Sequence, residues 1–171
     1  MKGLPLHMLF QEIYLQLGTN LGDREHHLAE AKKRINYQLG TINRTSSIYE
    51  TAAWGRTDQP AFLNQVVALE SHWDPWTMMK TILEIEEAMG RIREEKWGPR
   101  VIDIDLLAHG QNRIVSALLS LPHPELPNRK FVLVPLQEIA PNWKHPSSGK
   151  SINELLENTP DQLEVNILGI E

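Results

Sequence analysis

Ile13-Tyr14-Leu15-Gln16-Leu17-Gly18-Thr19-Asn20-Leu21-Gly22-Asp23 sets how the chain begins to fold. Ile13–Leu17 reads as a strand, and Gly18–Gly22 turns the chain. A helix is expected from about Asp23, because Leu28, Ala31, Ile35 and Leu39 recur at helical spacing and Gly40 stands where a C′ glycine belongs. Working outward, Thr41–Thr51 is rich in β-branched residues and is expected as a strand. Phe62–Glu70 is another, with Val66-Val67 pointing to partial burial on both faces. Asp74-Pro75 supplies an N-cap and a first-turn proline. Met78, Ile82, Ile85 and Met89 mark the stripe of that helix, and Gly90 ends it. Val101–Ala108 is expected as a strand. Ser151-Ile152-Asn153-Glu154 is a capping box opening a short helix, and Val165–Leu168 an edge strand. The order β-α-β-β-α-β predicts a ferredoxin-like α+β sandwich, a largely antiparallel sheet with helices packed on one face. Prolines at 122, 124, 127, 135, 141 and 146 predict an irregular C-terminal region. Tyr14, Trp73, Trp76 and Trp143 are expected to pack.

The composition bounds the function classes. With 17 Lys+Arg against 22 Asp+Glu, the 171-residue chain carries a net charge of −5. That balance speaks against a dedicated nucleic-acid or membrane-surface binder. Cysteine is absent, which excludes disulfides, cysteine-ligated metals and thiol chemistry. No apolar run approaches the ~20 residues of a membrane span. Residues 1–10 have neither the apolar core nor the cleavage site of a secretory signal and are expected as a loose extension. One domain over residues 11–171, a cytoplasmic location and a monomer are expected. Ser148-Gly149-Lys150-Ser151 resembles the end of a phosphate-binding loop, but Lys144 occupies the position of its first glycine and no strand precedes it.

Chemistry concentrates in Arg91-Ile-Arg-Glu-Glu-Lys-Trp-Gly-Pro-Arg-Val-Ile-Asp-Ile-Asp105. Asp103 and Asp105 lie two apart in an apolar strand, so both face one side with Cα atoms roughly 6.5 Å apart. Two like charges there need a cationic partner. Oxygen-only ligands suit a hard ion such as Mg²⁺, and the spacing fits the two-metal arrangement of phosphoryl transfer. The alternative is a strand end whose aspartates pair with nearby arginines. Four cations, Arg91, Arg93, Lys96 and Arg100, precede the pair in an acidic protein. Arginine forks match phosphate oxygens, and Gly98-Pro99 fixes a turn beside Trp97, which offers a stacking face. Arginines for phosphates and aspartates for metal are what a polyphosphate–Mg²⁺ site requires.

Arg91-x-Arg93-x-x-x-Trp97-Gly98-Pro99-Arg100-x-x-Asp103-x-Asp105 closely resembles the signature of the 6-hydroxymethyl-7,8-dihydropterin pyrophosphokinase family. The resemblance runs from about Ile13 to Pro146. It takes in Leu17–Gly22, Tyr49-Glu50-Thr51, Phe62-Leu63-Asn64, Leu121-Pro122-His123-Pro124 and Asn128-Arg129-Lys130-Phe131. It implies transfer of the β,γ-diphosphate of ATP, the co-substrate, to the hydroxymethyl group of a reduced pterin in folate biosynthesis, with AMP released. It also implies two Mg²⁺ ions on Asp103 and Asp105. Arg91 and Arg100 would bind phosphates and stabilise developing charge, while Arg93 and Trp97 belong to a loop closing over ATP. Glu86, Ile104, Ser120, His123 and Arg129 would contribute to the nucleotide side. Asn64 would read the edge of the pterin and Phe62 and Phe131 would sandwich its ring, with Thr51, Ala53 and Trp54 around it.

Taken without the resemblance, Phe62 and Phe131 read as core, Glu86 as an exposed helix carboxylate and His123 as a solvated loop residue. The chain departs from the family at Ala52-Ala53, where proline commonly follows the threonine. It departs again at Trp54, where a smaller aliphatic residue is usual, and at Leu118, where an ATP-contacting arginine is frequent. The alternative from another class is a ferredoxin-like module that binds nucleic acid or protein through its arginine loop without catalysis.

Overall fold

The computed structural model describes residues 10–53, 58–92 and 98–169. Of the expected extension over 1–10, only Phe10 falls among them. β1 (Gln11–Thr19) leads into α1 (Arg24–Gln38), whose first turn is closed by Asp23 accepting the His26 N–H at 3.0 Å. α1 ends at Gly40, whose φ of 147° opens the route into β2 (Thr41–Thr45). β3 (Tyr49–Thr51) and β4 (Phe62–Ser71) follow. α2 (Pro75–Ala88) starts as its sequence foretells, with Asp74 accepting from the Trp76 and Thr77 N–H groups. β5 (Asp103–His109) completes the β-α-β-β-α-β pattern.

Every strand pairing in the sheet is antiparallel. β1 lies between β5 and β4, and the far side of β4 takes β2 along one half and β3 along the other. The stretch expected as one strand over Thr41–Thr51 is therefore two. Ser46 makes the break: its N–H donates to the Val66 carbonyl at 2.9 Å, and its hydroxyl accepts the Val66 N–H at 3.0 Å. A serine side chain has replaced a ladder bond. Glu138 then holds the kink, accepting from the Ser47 N–H and the Tyr49 hydroxyl. Beyond β5 come the short pair β6 (Ile114–Val115) and β7 (Ser120–Leu121), a 3-10 turn at Leu126–Asn128, α3 (Lys130–Ile139), α4 (Ile152–Asn158) and β8 (Asn166–Ile167), which pairs antiparallel along the outer side of β3.

The sheet is covered on both faces, which corrects the expectation of helices on one. Ile13, Leu15 and Leu17 of β1 point to the side of α1 and α2, where they meet Leu28, Ile35, Ile82 and Ile85. Tyr14 points the other way with Val66, Ala68 and Leu107, against Val132, Leu133 and Leu136 of α3 and Ile152 and Leu155 of α4. Alternation along the strand makes this division, and each fully buried aliphatic side chain contributes about 1.5–3 kcal/mol. α3 is the helix that the prolines conceal. Pro135 sits inside it as a buried residue, and no local side chain caps its start. The Lys130 N–H is instead taken by Asp161 Oδ2 at 2.8 Å, from 31 residues away. Tyr14 and Trp143 pack edge to face as expected. Trp73 and Trp76 do not pack into the core: they are 39% and 48% exposed, and Trp73 stacks on His72.

A side chain at Gly40 would meet the Glu70 main-chain carbonyl at contact too close for any Cβ, in a region of positive φ. Gly40→Ala is expected to lose about 2–3 kcal/mol. Urea unfolding should show a lower midpoint at unchanged slope; an unmoved midpoint would contradict this role.

Candidate active site

The uncovered part of the α3 face lies over the ends of β1, β4 and β5. Strand register places Gly18 between Asp103 of β5 and Asn64 of β4, and Gln16 beside Asp105. Thr51 stands across from Phe62 at the mouth of β3 and β4. These residues, with Ala52, Arg100, Arg129 and Phe131, line a cleft enclosing about 560 Å³, its open mouth included. Gly18 leaves the floor open, since a Cβ there would come within 3.5 Å of Asn64 Oδ1 and 4.0 Å of the Asp103 Cβ.

Asp103 and Asp105 face the cleft together, and the arginines come to them. Arg91 Nη1 bridges Glu86 and Asp103 Oδ1, the latter at 2.7 Å. Arg100 Nη1 reaches Asp103 Oδ2 at 3.0 Å. Arg129, from the turn before α3, stands 3.5 Å from Asp105. Burial and the neighbouring Asp103 carboxylate push Asp105 up to about 7, against the pull of Arg129. His123 is half-buried and pushed down to about 4 by that burial and by Arg129, so its ring is neutral near pH 7. Each aromatic wall carries a guanidinium: Arg100 lies 5.5 Å from the Phe62 ring centroid and Arg129 5.9 Å from that of Phe131. Both phenylalanines are half-buried and border the cleft, where residue type alone reads as core.

Glu86 reverses its expectation. It is 2% exposed, and it accepts from Arg91 and from the Ile104 N–H at 2.7 Å. The signal was present in the sequence, because Glu86 falls four residues after Ile82 on the buried stripe of α2. Ile104 itself points into the core under α2, since alternate residues of β5 face opposite sides, and its side chain is not in the cleft. Ser120 lies in β7, donating to the Ser116 carbonyl, and does not line the cleft. Ala53 is buried just beyond the cleft-lining Ala52. Trp54, Arg93 and Trp97 lie outside the described residues. Asn20 braces the rims: its Oδ1 accepts the Arg100 N–H at 2.8 Å, and its Nδ2 donates to Gln59 and to the Pro60 carbonyl. Gln16 is a site residue that sequence reasoning missed; its signal is one amide within the otherwise apolar run Ile13–Leu17.

Paired carboxylates, arginine forks and flanking aromatic rings meet in one cleft of a ferredoxin-like sheet, a set of groups suited to a transferase that handles phosphate. Residues 14–141 match the family described as 7,8-dihydro-6-hydroxymethylpterin-pyrophosphokinase, and the chain belongs to that family. It is 45% identical over 144 residues to 2-amino-4-hydroxy-6-hydroxymethyldihydropteridine pyrophosphokinase of Methylorubrum extorquens, covering 84% of this chain and 90% of that one. The protein of the same name from Synechocystis is 43% identical, covering 82% and 72%. A Pisum sativum protein named as the mitochondrial folate synthesis bifunctional protein is 38% identical, covering 75% of this chain and 25% of its own. Among solved structures, Plasmodium falciparum HPPK-DHPS with pteroate shares the fold at a TM-score of 0.70 and 19% identity. The match covers 86% of this chain, which spans less than half of that structure.

The charge crowding yields a stability test. Asp105 holds its proton more tightly in the folded chain than in the unfolded one, so its contribution is present below about pH 4 and is lost as pH rises through about 7. Asp105→Asn escapes that loss. In metal-free buffer at pH 8 the variant should melt higher than the wild type, by ~2–4 °C for each kcal/mol of relieved strain, and the gap should narrow towards pH 5. A variant that melts lower at pH 8 would refute the crowding.

Proposed function

We infer the chemistry from family and cleft together: the chain carries out ATP-dependent pyrophosphoryl transfer to the hydroxymethyl group of 6-hydroxymethyl-7,8-dihydropterin, a step of folate biosynthesis. The observation that carries the reading is the placing of Asp103 and Asp105, ringed by Arg91, Arg100 and Arg129, beside Phe62, Asn64 and Phe131 in one cleft. The non-catalytic binding module is set aside by the family match and by these cations being engaged with carboxylates rather than spread over a surface.

Asp103 and Asp105 suit a pair of Mg²⁺ ions: the donors are all oxygen, both face the cleft, and their mutual repulsion calls for positive charge. Mg²⁺ bound there would neutralise the polyphosphate and align it for displacement. The rest falls to the chain. Arg91, Arg100 and Arg129, which pair with the aspartates in the structure, would offer forked donors to phosphate oxygens. Glu86 holds the Arg91 guanidinium against Asp103, and neutral His123 would present an uncharged ring to the nucleotide side. Phe62 and Phe131 hold the pterin ring, with Asn64 and Thr51 on its edge. By the family resemblance, Arg93 and Trp97 would serve the nucleotide side and Trp54 the pterin side. Positioning and fixed charge, rather than proton transfer by a side chain, supply most of the rate. The reading extends to a single pyrophosphokinase domain over residues 11–171, acting as a cytoplasmic monomer.

A steady-state assay of AMP release with ATP and the reduced pterin tests this. The wild type should be active with Mg²⁺ and silent in EDTA. Asp103→Ala and Asp105→Ala should each lose about 10²–10³ in kcat or more while remaining folded. Full turnover in either variant, or without a divalent ion, would overturn the metal assignment.

A further inference from the structure

Gln16 is 3% exposed, lies on the cleft floor and has no assigned role in binding or transfer. Its Nε2 makes two bonds, donating to Asn64 Oδ1 at 3.0 Å and to the Leu17 carbonyl at 3.1 Å. Its Oε1 is buried and accepts from no donor among the described residues. A buried acceptor without a donor costs about 1–3 kcal/mol, and a methionine of similar length would fill the same space without that cost. Stability alone therefore does not account for an amide here.

What the amide does is visible at Asn64. With Oδ1 taking the Gln16 proton and Nδ2 donating to Thr51 Oγ1 at 2.8 Å, the direction of the Asn64 carboxamide is set at both ends. A carboxamide has two N–H donors and two carbonyl lone pairs. One of each is used internally, and one of each remains. The Thr51 hydroxyl donates as readily as it accepts, so it cannot fix this direction by itself. Gln16 can, because its Nε2 is anchored to the Leu17 carbonyl and must present hydrogen to Asn64.

We propose that Gln16 is a positioning residue for substrate specificity: it locks the Asn64 amide so that the cleft presents one donor and one acceptor in a set order, matched to a cyclic amide or amidine edge of a planar heterocycle. The assignment of that heterocycle as the reduced pterin rests on the function proposed above. Gln16→Met removes the lock while preserving volume. In Gln16→Glu the anchored N–H donor is lost as well, and the carboxyl in its place does not set the order.

The experiment titrates 6-hydroxymethylpterin by its fluorescence, with Mg²⁺ and a non-hydrolysable ATP analogue present, and titrates the analogue separately. Gln16→Met and Gln16→Glu should each raise the pterin Kd about tenfold or more and leave the nucleotide Kd within about twofold. Gln16→Met should melt no lower than the wild type. In a double-mutant cycle, Asn64→Ala should absorb the effect, so that adding Gln16→Met to it changes the Kd less than about twofold. In the ligand-free protein, the Asn64 side-chain amide resonances should move in Gln16→Met. Unchanged pterin affinity, equal loss for both ligands, additive losses in the cycle, or unmoved resonances would each overturn the proposal. A wild type that binds no pterin would overturn the substrate reading instead, and the resonances would then decide the lock alone.

Discussion

One row across three strands carries the site: Asp103 on β5, Gly18 on β1 and Asn64 on β4. Antiparallel pairing fixes which residues lie abreast, and a slip of one position would send every member of the row into the opposite core. The buried Ile13, Leu15 and Leu17 on the other face prevent that slip. The precision of the cleft is thus inherited from the packing beneath it. Gly18 is the open link, because any larger residue would narrow the floor between the carboxylate and the amide.

The second constraint is charge. The acidic balance of the whole chain argues against anionic partners, yet at the cleft three guanidiniums converge on two carboxylates. Local charge and global charge answer different questions, since screening removes contributions beyond roughly 10 Å. The arrangement is also strained. Asp105 is pushed up by burial and by Asp103, and the Gln16 carbonyl has no donor among the described residues. Such groups lower the stability of the empty protein and suit a site whose ligands complete it. The two alternatives for the Asp103–Asp105 pair, arginine partners or metal, then describe two conditions of one site: the first is seen in the structure, the second belongs to the proposed working enzyme.

The β-α-β-β-α-β order, the helix start near Asp23, the N-cap at Asp74, the Ser151 capping box and the shared face of Asp103 and Asp105 were legible in the sequence. Each is a pattern closed within a few residues, where spacing alone decides which atoms meet. The resemblance to the pyrophosphokinases added the aromatic pair and the distant Arg129, which no local pattern could bring to Asp105.

Tertiary structure decided the rest, because the interactions concerned join residues far apart in the chain. The cap of α3 comes from Asp161, so the helix start carried no local mark and Pro135 looked like a breaker. Glu86 is buried because Arg91 and the Ile104 N–H satisfy it. Thr41–Thr51 splits because the Ser46 hydroxyl takes the Val66 N–H. The direction of the Asn64 amide depends on a glutamine 48 residues away. Periodicity tells which way a side chain points. Only the folded chain tells which partner stands there to accept its hydrogen or balance its charge.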